Sequence, residues 1–195
     1  MLDNTIKNIV YEGKTPRLLL HSCCAPCSSY CIEYLSKFFF ITVLYFNPNI
    51  EDEEYERRLS EQKRFISEFK AENKVQFAEI GHDTAEFYNA VKGFETEPEG
   101  GKRCEICFKL RLEAAAKYAK ENGFDYFTTT LSISPLKNAD MLNCIGKELS
   151  EIHGVPYLFS DFKKRGGYLR STELSREFGL YRQDYCGCIY SKRPK

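Results

Sequence analysis

Apolar residues fall into two kinds of pattern along the chain. Short unbroken runs, Leu18-Leu19-Leu20 within 17–22 and the aromatic, β-branched stretch 38–46, have the length and composition of strands buried on both faces. Elsewhere the apolar positions spread to helical spacing. Residues 26–37 predict a helix with Pro26 in its first turn, where an N–H would have no helical partner anyway. Residues 51–71 predict a charged amphipathic helix with Tyr55, Leu59, Phe65, Ile66 and Phe69 on its apolar side. Further strands are predicted at 75–80, 126–131 and 156–159. Further helices are predicted at 84–91, at 104–121 with Gly123 ending it, and at 135–149 opened by Pro135. Strands separated by helices of this length argue for βαβ units. The expected architecture is α/β, a three-layer sandwich with a mostly parallel sheet, in one domain over 1–195. Its C-terminal segment, from about 160 to 195, is set apart by its redox-type chemistry.

Charge narrows the partners. The chain has 28 Lys+Arg and 28 Asp+Glu, so no global field attracts a polyanion and any nucleic-acid contact has to come from a local patch. Residues 1–17 carry early acidic residues and no apolar run, which predicts neither a secretory leader nor a membrane span. A cytoplasmic protein is expected. In that reducing compartment clustered cysteines serve as metal ligands or catalytic thiols rather than permanent bridges.

Cysteines change the picture most. Of the nine, eight lie in three clusters: Cys23, Cys24 and Cys27 with Cys31 just beyond, then Cys104 and Cys107, then Cys186 and Cys188. The first cluster straddles a predicted strand-to-helix turn, at the carboxyl end of a strand where ligands of open α/β sheets sit and where free amides favour thiolates. Small cysteines packing a turn is the plainer reading, and three within five residues argue against it. Cys31, one turn after Cys27, is expected to be a buried, inert thiol. The second cluster is a C-x-x-C opening a long helix, a spacing that offers two ligands to one metal. If both helix starts meet at one edge of the sheet, Cys23, Cys24, Cys104 and Cys107 supply four thiolates, the usual complement of a [4Fe-4S] cluster. Cys186-Gly187-Cys188 can close only a small strained ring, which suits a redox-active pair, with metal ligation as the alternative. Cys144 is expected in the core.

The motifs together carry a resemblance. HSCCAPCS after the first strand, NPNI followed by EYERR, RCEICFKLRLEAAAKYAKENGFDYFTTTLSISPLKN, FSDFKKRGG and LYRQDYCGCIYS resemble the epoxyqueuosine reductase family of the cobalamin-independent QueH type, over about residues 17–191. One local departure is Glu51-Asp52-Glu53, where the family commonly has a proline shortly after NPNI. The resemblance implies a fold similar to the nucleotide-hydrolase (HUP-like) sandwiches and reduction of the epoxide of epoxyqueuosine to queuosine at the tRNA wobble position. It implies Cys23, Cys24, Cys104 and Cys107 as [4Fe-4S] ligands and Cys186 with Cys188 as the redox-active pair. It also implies a possible additional iron, for which Cys27, Asp184 and the Cys186/Cys188 pair are candidate ligands.

Deoxygenating an epoxide takes two electrons, two protons and a group to receive the oxygen. Asp184, Tyr185 and Asp161 are the acids nearest in sequence to the expected site, and an external electron donor is expected because no flavin or nicotinamide motif is visible. Lys163-Lys164-Arg165 in a glycine-bearing loop, followed by Arg170, with Tyr168 to stack on a base, form the expected RNA-binding patch, extended by Lys102, Arg103, Lys109 and Arg111. Three other functions share parts of this inventory. A tRNA-modifying ATP pyrophosphatase needs a glycine- and serine-rich phosphate turn where HSCCAPCS stands. A zinc-stabilised RNA-binding module would be redox-silent, and a thiol oxidoreductase needs only one local cysteine pair.

Overall fold

A computed structural model describes residues 2–192; residues 193–195, at the end of the expected C-terminal segment, lie outside the described residues. In chain order the elements are α1 (Leu2–Tyr11), β1 (Arg17–Ser22), α2 (Ala25–Leu35), β2 (Phe40–Tyr45), α3 (Asp52–Glu68), β3 (Val75–Glu79), α4 (Thr84–Ala90), α5 (Lys102–Glu121), β4 (Tyr126–Thr129), α6 (Ala139–His153) and α7 (Gly167–Glu177). The four strands form one all-parallel sheet in the order β3-β2-β1-β4.

Alternation along the strands decides which side chain meets which layer. Leu18 and Leu20 of β1, with Ile41 and Val43 of β2, pack against Ile6 and Ile9 of α1, Ile32 and Leu35 of α2 and Phe65 of α3. Leu19 of β1 and Phe127 of β4 turn to the other face, against Leu112, Ala115 and Ala119 of α5 and Leu142 and Leu149 of α6. The result is the expected three-layer α/β sandwich. The order of the strands also creates a switch point. β1 leads outward to β2 and β3, whereas β4 lies on the opposite side of β1, so the chain leaves the carboxyl ends of β1 and β4 toward different layers. Such a divergence opens the crevice in which ligands of these folds bind.

Several elements differ from the sequence expectation for identifiable reasons. Helix α6 starts at Ala139 rather than Pro135, because the Asn138 side chain caps it by accepting from the amides of Asp140 and Met141. Residues 135–137 therefore stay in a loop beside the switch point. The expected last strand reduces to one parallel bridge, Tyr157 with Phe127. Helices α1 and α7 were not among the elements read from the pattern. The expected basic loop is present as turns over 162–166, and α7 begins at its last glycine, Gly167, where a Cβ would lie 2.0 Å from the Phe162 carbonyl oxygen. Cys144 is exposed on α6, not in the core, while Cys31 is buried as expected. Among the described residues no helix is long and apolar enough to cross a membrane.

Candidate metal and redox centre

The first thiols sit where β1 ends. Cys24 is the N-cap of α2 in extended backbone, Pro26 lies in the first turn, and no side chain caps the helix, so its positive end faces the sulfurs. The sulfurs of Cys23, Cys24 and Cys27 all lie within 4.8 Å of one another. Crowding splits their ionisation. Hydrogen bonds from Cys24 and Cys27 hold Cys23 well below the usual thiol range, while burial pushes Cys24 up to about 12. Gln62 of α3 fixes the turn by accepting from the hydroxyls of Ser22 (2.8 Å) and Ser28 (3.0 Å).

The second pair opens α5, and the third is clamped beside it. Arg58 of α3, buried on the face shared with Tyr55 and Leu59, pairs with Glu54 and donates to the carbonyls of Tyr185 (3.3 Å) and Cys186 (3.2 Å). Gly187 has φ of +101°, and a Cβ there would lie 2.7 Å from Ile50 and 3.1 Å from Arg58 Nη1, so glycine alone fits between the two cysteines. Cys188 packs against Phe87, Val91 and Cys107, with Cys186 beside them. A hydrogen bond from Cys188 holds the Cys186 thiol well below its usual range, and the same bond raises Cys188. All nine cysteines are free thiols.

Two adjoining cavities contain this chemistry. One is lined by Cys23, Cys27, Tyr168, Gln183 and Asp184, the other by Cys104, Cys107, Cys188 and Arg111; Glu99, Leu136, Lys137 and Cys186 line both. The sulfurs are met by donors. Gln183 Nε2 donates to Cys24 (2.9 Å), the Gly100 amide to Cys104 (3.2 Å), and Arg111 Nη1 points at Cys107 (3.9 Å). Hydrogen bonds of this kind stabilise thiolate over thiol and set the potential of thiolate-bound iron.

Cations complete the centre. Arg111 is only 2% exposed, and its hydrogen-bond partners are Asn47 Oδ1 (2.6 Å), Cys107 and the imidazole of His21, with no carboxylate among the described residues. His21 is neutral, since burial pushes it down to about 3. Lys137 is half-buried and likewise has no ion pair among the described residues. Burial works against its charge, but the neighbouring sulfurs of Cys23, Cys186 and Cys27 raise its pKa overall. A buried cation without a counter-charge is costly. The anion these two cations face is the thiolate set, so the donor chemistry fits a soft, thiolate-bound metal group.

Other expected site residues are placed less uniformly. Asp184 is exposed and Tyr185 half-buried at the first cavity, with the Tyr185 phenol pushed up chiefly by burial. Asp161 instead lines a separate cavity with Cys144, Lys164 and Arg165, and its carboxylate holds Lys163 (2.6 Å) and Lys164 (3.3 Å). Arg165 forks onto Asp3 of α1 at 2.9 and 2.5 Å. Of the expected RNA-binding residues, Tyr168 lines the thiol cavity, and exposed Arg182 stands there with it. Arg103 and Arg111 are buried rather than part of a surface patch, and Lys102 and Lys109 pair with Glu105 and Glu148. Sequence reasoning had missed Lys137 and the structural role of Arg111. The available signal was an arginine at the inner-face spacing Cys107, Arg111, Ala115, all three buried.

Fold and centre together define an α/β protein with a thiol cluster suited to a metal at the switch point of a parallel sheet. Residues 18–194 match the family model described as Epoxyqueuosine reductase QueH. The chain is 47% identical over 185 residues to the Epoxyqueuosine reductase QueH of Streptococcus pyogenes serotype M1, covering 93% of this chain and 72% of the relative. It is 41% identical to that of Staphylococcus epidermidis, covering 97% and 83%, and 39% identical to that of Thermotoga maritima, covering 89% of each. The chain belongs to the epoxyqueuosine reductase QueH family.

Proposed function

We propose that this protein reduces the epoxide of epoxyqueuosine to the alkene of queuosine, a step of queuosine biosynthesis, on tRNA carrying the modified base at the wobble position. The observation that carries this reading is the centre itself. Six thiols line two adjoining cavities, with Cys24 beside Cys23 and Cys27, and two of the cations that line them, Arg111 and Lys137, have no carboxylate partner among the described residues, in a chain of the reductase family. Cys23, Cys24, Cys104 and Cys107 hold a [4Fe-4S] cluster in this proposal, following the family resemblance. The donors on Cys24, Cys104 and Cys107 and the charge of Arg111 support it. When bound, such a cluster relays electrons one at a time.

The chain's own residues do the rest. Cys186 and Cys188 form the redox-active pair, held by Arg58 and Gly187 so that their sulfurs stay beside the C-x-x-C. Cys27, half-buried in the lining of the first cavity, and the exposed Asp184 in the same lining are the proposed ligands of an additional iron. Tyr168 and Arg182 receive the splayed wobble base and its phosphate, since a single-stranded loop exposes both to stacking and charge. Electrons come from an external donor. The test is anaerobic incubation of reconstituted enzyme and dithionite with epoxyqueuosine-containing tRNA, followed by nucleoside mass analysis. Loss of one oxygen mass from the modified nucleoside is expected. An unchanged nucleoside, under conditions where the Streptococcus pyogenes relative converts it, would sink the reading.

A further inference from the structure

Epoxide reduction needs an acid, and the carboxylates expected to supply it are poorly placed. Asp161 is engaged by Lys163 and Lys164 and lines a different cavity. Asp184 is exposed at the mouth, and burial makes Tyr185 a weaker acid than a free phenol. Arg111 is sealed behind Cys107, and a guanidinium does not release its proton. Four residues line both thiol cavities: Leu136 is apolar, Glu99 sits on an exposed rim, Cys186 belongs to the redox pair, and Lys137 is half-buried.

Lys137 owes its position to the local fold. Asn138 caps α6 so that the helix begins one residue later, which leaves Lys137 in the loop that follows β4 at the switch point. Its ammonium has no hydrogen-bonded or ionic partner among the described residues. The groups that line the two cavities with it are the sulfurs of Cys23, Cys27 and Cys186 on one side and of Cys104, Cys107 and Cys188 with the guanidinium of Arg111 on the other, and the exposed carboxylates of Glu99 and Asp184. An ammonium that lines the thiol cavities and is ion-paired to no carboxylate among the described residues is a donor held ready for a substrate oxygen.

We propose that Lys137 is a catalytic residue that donates a proton from Nζ to the oxygen leaving the epoxide, a role resting on the reductase reading above. Both C–O bonds break, the C=C bond forms, and oxygen departs as water. Two electrons come from a low-potential one-electron donor. One proton comes from Lys137 as the first C–O bond opens; solvent supplies the second and restores the ammonium. The same ammonium stabilises negative charge on the oxygen before transfer is complete.

The test compares Lys137→Met, Lys137→Arg and Lys137→Ala with wild type, using dithionite and epoxyqueuosine-containing tRNA. Lys137→Met and Lys137→Arg are expected to lose about 10²-fold or more in kcat. Iron and sulfide per chain, and tRNA affinity of the metal-free protein, are expected to stay within about twofold of wild type. Added ethylamine is expected to restore part of the Lys137→Ala rate in proportion to its concentration. Four results would each overturn the proposal: a Lys137→Met kcat near wild type, full activity of Lys137→Arg, loss of iron in Lys137→Met, or a defect confined to tRNA binding. Failure of wild type itself to make the alkene would instead remove the reductase reading, and this role with it.

Discussion

The thiol centre and the Lys163–Arg165 loop are both rich in cations, yet they handle charge in opposite ways. In the loop every cation has an acidic partner: Lys163 and Lys164 share Asp161, and Arg165 forks onto Asp3. Arg170, on the helix that follows, is held by Glu33, Glu173 and Glu177. In the centre, Arg111 and Lys137 have none among the described residues: Arg111 meets a sulfur, an amide and a neutral imidazole, and Lys137 lines the thiol cavities unpaired. A paired surface cation contributes little and advertises little. A buried cation without a carboxylate calls for an anion supplied by function. Charge density along the sequence drew attention to the loop, whereas charge without a partner singles out the centre.

Removing the buried Arg111 gives the largest expected effect. Arg111→Met leaves the thiolate group uncompensated behind α5, a change that costs about 3–5 kcal/mol when one partner of a buried pair is lost. The variant should surrender iron to a chelator far faster than wild type, while Arg111→Lys keeps part of the retention. Wild-type retention by Arg111→Met would mean that the guanidinium only packs α5 and that the contrast between the two regions is empty. At the small end, the double variant Lys163→Ala with Lys164→Ala should lower tRNA affinity by less than about fivefold and flatten the salt dependence by no more than about two phosphate contacts. A larger loss in a salt titration would return the loop to the RNA interface and shift weight away from Tyr168 and Arg182.

Much of the sheet was legible because its strands are unbroken apolar runs. Leu18-Leu19-Leu20 and Phe40–Tyr45 leave few alternatives, and Pro26 marks the start of α2. The placement of the first cysteine cluster followed from that, since a turn after a parallel strand lies at the ligand-binding edge. What stayed hidden depends on partners distant in sequence. Arg58 reads as one of several charges on a charged helix until Tyr185 and Cys186 arrive from the other end of the chain. Lys137 reads as part of a helix opened by Pro135, and only the stronger capping by Asn138 leaves it in the loop. Helix α7 was obscured by its two leading glycines: Gly166 takes the left-handed N-cap conformation, and Gly167 admits the close approach of Phe162 and Tyr30. Asp161 lies close in sequence to the expected basic patch, but its carboxylate is committed to that patch.

The central claim is that these thiols and lone cations hold an iron–sulfur group, and metal analysis tests it most directly. Protein purified and reconstituted without oxygen would be assayed for iron, zinc and acid-labile sulfide per chain, with a paramagnetic resonance spectrum before and after dithionite. The account predicts about four sulfides with four or five irons per chain and a signal that appears on reduction. Stoichiometric zinc without sulfide, persisting after reconstitution, would contradict it and leave a structural thiolate site in place of a redox centre.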